Sequence, residues 1–193
     1  SAWSAVEDVE SEALDPVAFA VDVTPDRSAA AIAMAGVRAD GLIHVEVVDH
    51  RPGTAWVVDR VAQLIERWSP CAVALDAGGP AGSLVADFDD AEIELVKPKY
   101  RDAAAACGAL YDAVVRPPDA PEDWKSTLRH RPHPAVTAAL SGASKRTLGD
   151  AWAWDRRGVS VDISPLVAVT LARWAYVTRP RDEPEQPFFG SWR

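Results

Sequence analysis

The alternation of apolar and polar positions divides the chain into a short series of elements. Val17–Val23 (VAFAVDV), Ser28–Ala35 and Leu42–Asp49 are apolar or alternating runs, separated by Thr24-Pro25-Asp26 and by the stretch from Gly36 to Gly41. Three strands with such short connections are predicted to pair as an antiparallel meander. Thr54–Trp68 changes period: Val57, Val61, Leu64, Ile65 and Trp68 fall on one helical face, with Gly53 or Thr54 as the cap. Cys71–Asp76 (CAVALD) has the continuous apolar character of a buried parallel strand and runs into Ala77-Gly78-Gly79-Pro80 and a short helix ending near Phe88. Glu92–Lys97 reads as a further strand, and Tyr100–Arg116 as a helix stopped by Pro117 and Pro118. Ala151–Asp155 (AWAWD) alternates like a strand. Ile163–Val177 is the last predicted helix, with Ser164 as its expected cap and Pro165 at the first helical position.

A three-strand meander followed by helix–strand–helix–strand–helix gives an α/β fold: a ribonuclease-H-like mixed sheet, an antiparallel meander plus parallel strands, flanked by helices. A doubly wound parallel sheet would need a helix between the first strands, and no segment there has the period for one. The 193 residues suit a single folded unit at 16–178. Before it, residues 1–15 are polar, acidic and aperiodic, and read as a linker or extension. After it, residues 179–193 read as an irregular tail. No repeat is visible. No apolar run approaches the roughly 20 residues that cross a bilayer, and the acidic start has none of the character of a secretory signal. Cys71 and Cys107 have neither metal-type nor disulfide-type spacing, which suits a reducing cytoplasm.

Charge complicates the picture. The formal net charge of −9 argues against a nucleic-acid partner, since phosphate binding wants a basic footprint. Its distribution argues the other way. Glu7, Asp8, Glu10, Glu12 and Asp15 crowd the start without a single base, whereas the stretch 124–149 carries Lys125, Arg129, Arg131, Lys145, Arg146 and two histidines without a single acid. Lys97, Lys99 and Arg101 form a second basic group. A chain acidic in sum and basic locally can still line a DNA groove, although a solvated basic face has the same composition.

Three carboxylates stand out. Asp22 interrupts an apolar strand, and a buried carboxylate costs several kcal/mol unless paired, which metal coordination achieves; a hydrogen bond to its own turn at Thr24-Pro25-Asp26 is the bland alternative. Asp76 closes a buried strand before a glycine-rich turn, where ligands collect in open α/β sheets, but where turn-forming aspartates are also common. Asp162 precedes the last helix, where capping is the ordinary role; with Ser164 and Pro165 expected to supply that chemistry, Asp162 is free for another. In the inferred topology the first strand is central, the Cys71–Asp76 strand lies beside it, and the last helix starts near their ends, so the three acids converge. An all-oxygen set suits two Mg²⁺ or Mn²⁺ ions rather than zinc and is the equipment for phosphodiester hydrolysis.

FAVDVTPDRSAAAIA around Asp22, VALDAGGPAGSL around Asp76 and LGDAWAWDRRGVSVDISPLVAVTLARWA around Asp162 resemble the nuclease domain of bacteriophage large terminase subunits, over roughly residues 17–178. The resemblance implies metal-ligand and catalytic roles for Asp22, Asp76 and Asp162, with Asp22 bridging both ions and Asp26 and Asp150 as lesser candidates. It implies that Arg129, Arg131, Lys145 and Arg146 contact double-stranded DNA. The implied partners are an ATPase domain of the same motor, a small terminase subunit and the portal, reached at the capsid in the host cytoplasm and not at a membrane. Large terminases place an ATPase before the nuclease; no GxxxxGK[ST] occurs in this chain, so an excised nuclease domain is expected.

Rival readings are a junction-resolving or ribonuclease-H-type nuclease on the same fold, and a catalytically silent module of that fold that binds DNA or a motor partner. An actin-like nucleotide-binding domain is a weaker one, because TPDRS lacks the glycines of its phosphate turns. His44 and His50 suggest no function. Trp56, Trp68 and Trp174 are expected in the core, with Trp152 and Trp154 sharing one face of a strand.

Overall fold

The computed structural model describes residues 1–179. β1 (Ala18–Val23), β2 (Ala29–Val37) and β3 (Ile43–Pro52) form the expected meander, and β4 (Ala72–Leu75) pairs parallel to β1. A short β5 (Leu128–His130) adds parallel to β3, giving the order β4-β1-β2-β3-β5. The mixed sheet and flanking helices are the ribonuclease-H-like arrangement predicted from element order, with β1 buried along its whole length.

The two faces of the sheet are built from residues of different size, as strand alternation requires. On one face Ala18, Ala20, Ala31, Ala33 and Ala35 lie under α5 (Ser164–Thr178), whose residues from Ser164 to Ala172 are all buried. Methyl-sized side chains let a helix sit close to the strands, and α5 packs on β1, β2, β3 and β4 together. On the other face Phe19, Val21, Val23 and Ile32 meet Val57, Val61 and Leu64 of α1 (Val57–Trp68) and Phe88 of α2 (Val85–Asp90). α3 (Tyr100–Val114) packs beside α5 and carries an antiparallel hairpin of β6 (Lys145–Leu148) and β7 (Ala151–Trp154), closed by a two-residue Gly149-Asp150 turn with Gly149 at φ 62°.

The structure departs from the sequence reading at several points. Glu92–Lys97 is not a full strand: it touches the sheet through a single bridge, Val96 to Ala74. β5, β6 and α4 (Pro134–Gly142) arise inside the segment read only as basic. Arginine and histidine conceal β5, where Leu128 and His130 point inward and Arg129 lies between them. Trp68, expected in the core, is 38% exposed beside Arg67, because α1 ends there and the sheet no longer covers it.

Residues 1–15, read as a linker, pack along the β5 edge. Trp3 and Val6 are buried, and the Trp3 indole stacks on the His130 ring at 4.0 Å. The Asp8 amide bonds the His130 carbonyl at 2.9 Å, its carboxylate pairs with Arg38 at 2.7 Å, and Ser11 Oγ meets His44 Nδ1 at 2.8 Å. Of the expected tail 179–193, all but Arg179 lies outside the described residues. Among the described residues no helix is long and apolar enough to cross a membrane.

Trp3→Ala removes the anchor of this edge and is expected to lower unfolding free energy by about 3 kcal/mol, read from urea denaturation. An unchanged midpoint would show that the first residues contribute nothing to the fold.

Candidate active site

Pairing register places the site. Asp22 pairs with Ala31, and Ala31 pairs with His50. On the other side Val21 pairs with Leu75 in parallel, so Asp76, the next residue, lies level with Asp22. Asp76, Asp22, Ala31 and His50 therefore form one row across four strands. The row lies at the carboxyl ends of the parallel pair β1 and β4, where open α/β sheets collect their ligands.

Asp22 is fully buried, and both its oxygens accept from one guanidinium: Arg156 Nη1 at 2.5 Å and Nη2 at 2.7 Å. Burial pushes the Asp22 carboxyl above the ordinary range, against the pull of Arg156, and the negative charge of Asp76 pushes the same way. Burial works to lower the Arg156 value, but Asp22 outweighs it and holds the guanidinium above its usual range. Both acids act on the charge of Arg156, but only the buried Asp22 is bonded to it, Asp76 being half-buried in the cleft alongside.

The loop after Asp76 is shaped by its own side chain and by small residues. Asp76 Oδ1 accepts from the Gly78 amide at 3.0 Å, and a 3-10 turn follows at Pro80–Leu84. At Gly82 a Cβ would collide with the Ala77 carbonyl, so only glycine lets the turn fold back on the Asp76 loop. Asp76, Gly78, Gly79, Arg146, Asp155, Arg156 and Arg157 line an open cleft of about 660 Å³.

Asp162 sits at the other end of the row. Its Oδ2 lies 2.8 Å from His50 Nε2, and its Oδ1 accepts from the Ser164 amide at 2.7 Å. Ser164 does not cap α5, contrary to its expected role: its hydroxyl is buried with no hydrogen-bond partner among the described residues, and Asp162 makes the first-turn bond instead. The work thought to be spared Asp162 is work it does. Two strand spacings separate His50 from Asp22, roughly 10 Å of backbone, with the fully buried Ala31 between them. Asp162 shares a second depression with Asp26 and Arg156, next to the cleft of Asp76.

Among the described residues no three His, Cys, Asp or Glu side chains form a ready-made metal cage. The donors do fit hard divalent cations: Asp22 and Asp76 supply oxygen, and a cation already lies against Asp22 in the form of Arg156. Asp26 is an exposed carboxylate held at about 2 by hydrogen bonds from Ser28 and Thr24, and remains charged. Asp150 sits in the β6–β7 turn.

The four basic residues expected at DNA divide into two groups. Arg146 lines the cleft with Asp76. Its neighbour Lys145 lies 3.5 Å over the Tyr111 ring and 4.2 Å over Trp152. Arg129 and Arg131 are on the far edge, Arg129 bonded to the Leu128 carbonyl and Arg131 3.6 Å from Glu46. Two site residues were not singled out from sequence. His50 lies two residues before the end of β3, with nothing to mark it. Arg156 stands in a DRRG run that reads as solvated; its only signal is its place directly after the AWAWD strand.

No family model matches the chain, and no curated protein matches it. Solved structures do. The large terminase of bacteriophage HK97 is similar over 90% of this chain at TM-score 0.69 and 15% identity. This chain spans 42% of that protein's length. The large terminase nuclease from thermophilic phage G20c aligns over 87% of each chain at TM-score 0.57 and 13% identity. The nuclease domain of the large terminase subunit of bacterial virus Sf6, solved with manganese, aligns over 89% of this chain and 95% of its own at TM-score 0.57 and 14% identity. At such identities the likeness is one of fold.

Asp22→Ala strands a mostly buried guanidinium and is expected to cost about 3 kcal/mol in metal-free buffer, measured by denaturant unfolding at neutral pH. A cost below about 0.5 kcal/mol, typical of a surface change, would mean that the pair is not formed in solution.

Proposed function

We propose that this chain is the nuclease domain of a viral large terminase and that it hydrolyses double-stranded DNA in a divalent-metal-dependent reaction. The observation that carries the reading is the side-by-side placement of Asp22 and Asp76 at the carboxyl ends of adjacent parallel strands, with Asp76 lining an open cleft bordered by Arg146 and Asp22 buried beneath Arg156. The fold supports it, being similar to terminase nuclease domains, and structures of that kind from Sf6 and G20c hold manganese and magnesium.

Asp22 and Asp76 are the residues that would hold the ions, and Asp162 joins them by releasing His50. Two Mg²⁺ or Mn²⁺ ions held by these residues would supply activation of water and neutralisation of charge on the leaving oxygen. The chain contributes the rest. Water adds to phosphorus and the bond to the leaving sugar oxygen breaks, with the proton of the water passing to that oxygen, so no protein nucleophile is required. Asp26 keeps its negative charge at the rim. Arg146 and Arg157 line the cleft and meet the backbone phosphates, which positions DNA without reading its sequence. Sequence choice then falls to partners: in the assembled motor an ATPase domain, a small terminase subunit and the portal of a capsid in the host cytoplasm.

The deciding experiment is cleavage of supercoiled plasmid with Mn²⁺, Mg²⁺ or chelator by the wild-type chain and by Asp76→Asn, a change at a half-buried residue that spares the Asp22–Arg156 pair. Nicking and linearisation that require the metal and vanish in the variant are expected. Metal-independent cutting, or full activity in Asp76→Asn, sinks the proposal. DNA binding, followed by anisotropy in Ca²⁺, should weaken steeply with salt, and Arg146→Ala should reduce the slope of log K against log salt by about 1. A slope unchanged in Arg146→Ala would remove that residue from the interface.

A further inference from the structure

The carboxylate site comes with its own cation, and the surroundings of Arg156 show that the position is built. β7 is fastened before the chain reaches it: the Trp154 indole donates to Thr170 Oγ1 of α5 at 3.0 Å, and Trp152 packs edge-on against Tyr111 and Trp154. The Asp155 amide donates to the Ser144 carbonyl at 2.8 Å, and Asp155 Oδ1 accepts from the amides of Arg157 at 2.9 Å and Gly158 at 3.0 Å. A Cβ at Gly158 would collide with the Asp155 carboxylate. The backbone on both sides of Arg156 is thereby fixed, and the side chain is aimed at Asp22.

Both Asp22 oxygens are engaged by the planar fork of one guanidinium, the strongest geometry open to that pair. A hard divalent cation binds through the lone pairs of those same oxygens. The two cations compete for one carboxylate. Arg156 also lines three adjoining depressions, the cleft of Asp76, the depression of Asp26 and Asp162, and a third against α3. The guanidinium can thus leave Asp22 without entering the core.

We propose that Arg156 is the resident counter-cation of the carboxylate site: it occupies Asp22 in the metal-free protein, must withdraw for a divalent ion to bind, and so sets the metal affinity of the domain. This inference rests on the metal-dependent reading of the same site. Arg156 keeps an otherwise isolated buried carboxylate folded before metal arrives. Once withdrawn it stands at the mouth of the cleft beside Arg146 and Arg157, where a DNA phosphate is the natural partner for its charge. Metal and DNA then favour each other's binding, since each stabilises the arrangement the other needs.

The test is Mn²⁺ titration by isothermal calorimetry, with thermal melts in chelator and in Mn²⁺, for wild type, Arg156→Gln and Arg156→Lys without DNA. Arg156→Gln is expected to bind Mn²⁺ at least ~10-fold more tightly than wild type. It should melt lower than wild type in chelator and gain more from Mn²⁺. Arg156→Lys, charged but without the two-pronged fork, should fall between. If the Gln variant folds only with Mn²⁺, the proposal is supported; if it does not fold at all, tighter binding by Arg156→Lys supports it and unchanged binding overturns it. Equal Mn²⁺ affinity in wild type and Arg156→Gln overturns it while leaving the nuclease reading intact. Binding by none of the folded proteins overturns both.

Discussion

A carboxylate at full burial on an interior strand cannot stand alone, and much of this end of the sheet follows from that constraint. Asp22 lies where backbone pairing on both sides excludes water, next to a second acid at the same level. The unfavourable part of such an arrangement is desolvation, and it is tolerated only when an opposite charge arrives in good geometry. Arg156 meets the requirement from 134 residues further along the chain. The hairpin, the indole bond to Thr170 and the Asp155 turn all bear on where that guanidinium ends up. A sheet that needed only stability would place valine at Asp22 and dispense with all of them.

The fold was legible because its signals are periodic. The meander, the Cys71–Asp76 strand and the helices at Thr54, Tyr100 and Ile163 declare themselves through alternation or through a 3.6-residue stripe. What escaped has no period to show. β5 has three residues, one of them an arginine, and takes its place from β3 rather than from its own composition. The Gly149-Asp150 dipeptide between short runs is a hairpin signal, hidden here because Lys145 and Arg146 suggested a charged surface. Asp22 and Asp76 were visible as acids in apolar strands. Arg156 was not, since burial of a long cation is decided by its partner, and no local pattern encodes a partner so remote. Asp162 illustrates the reverse: a cap was credited to Ser164, whose hydroxyl turned inward, and the carboxylate took the bond.

The acidic net charge is less of an obstacle than the bare sum suggests. Part of the negative charge is spent internally, with Asp8 and Asp40 on Arg38 and Asp49 on Arg60. The basic residues are sorted by the fold into a far edge, where Arg131 faces Glu46, and a cleft, where Arg146 and Arg157 remain beside Asp76. The acidic sum therefore coexists with cationic side chains grouped beside Asp76.

The alanine face under α5 acts as a gauge. Asp162 lies two residues before α5 and is bonded to its first amide, while Asp22 belongs to the strand beneath, so the height of the helix above the sheet bears on the span between them. Ala18, Ala20, Ala31, Ala33 and Ala35 are the feeler blades that set that height. One extra methyl among them would act as a shim, lifting a lever whose far end carries an acid. Tuning of this active face can therefore be written deep in the core, at positions that no substrate, ion or solvent molecule ever meets.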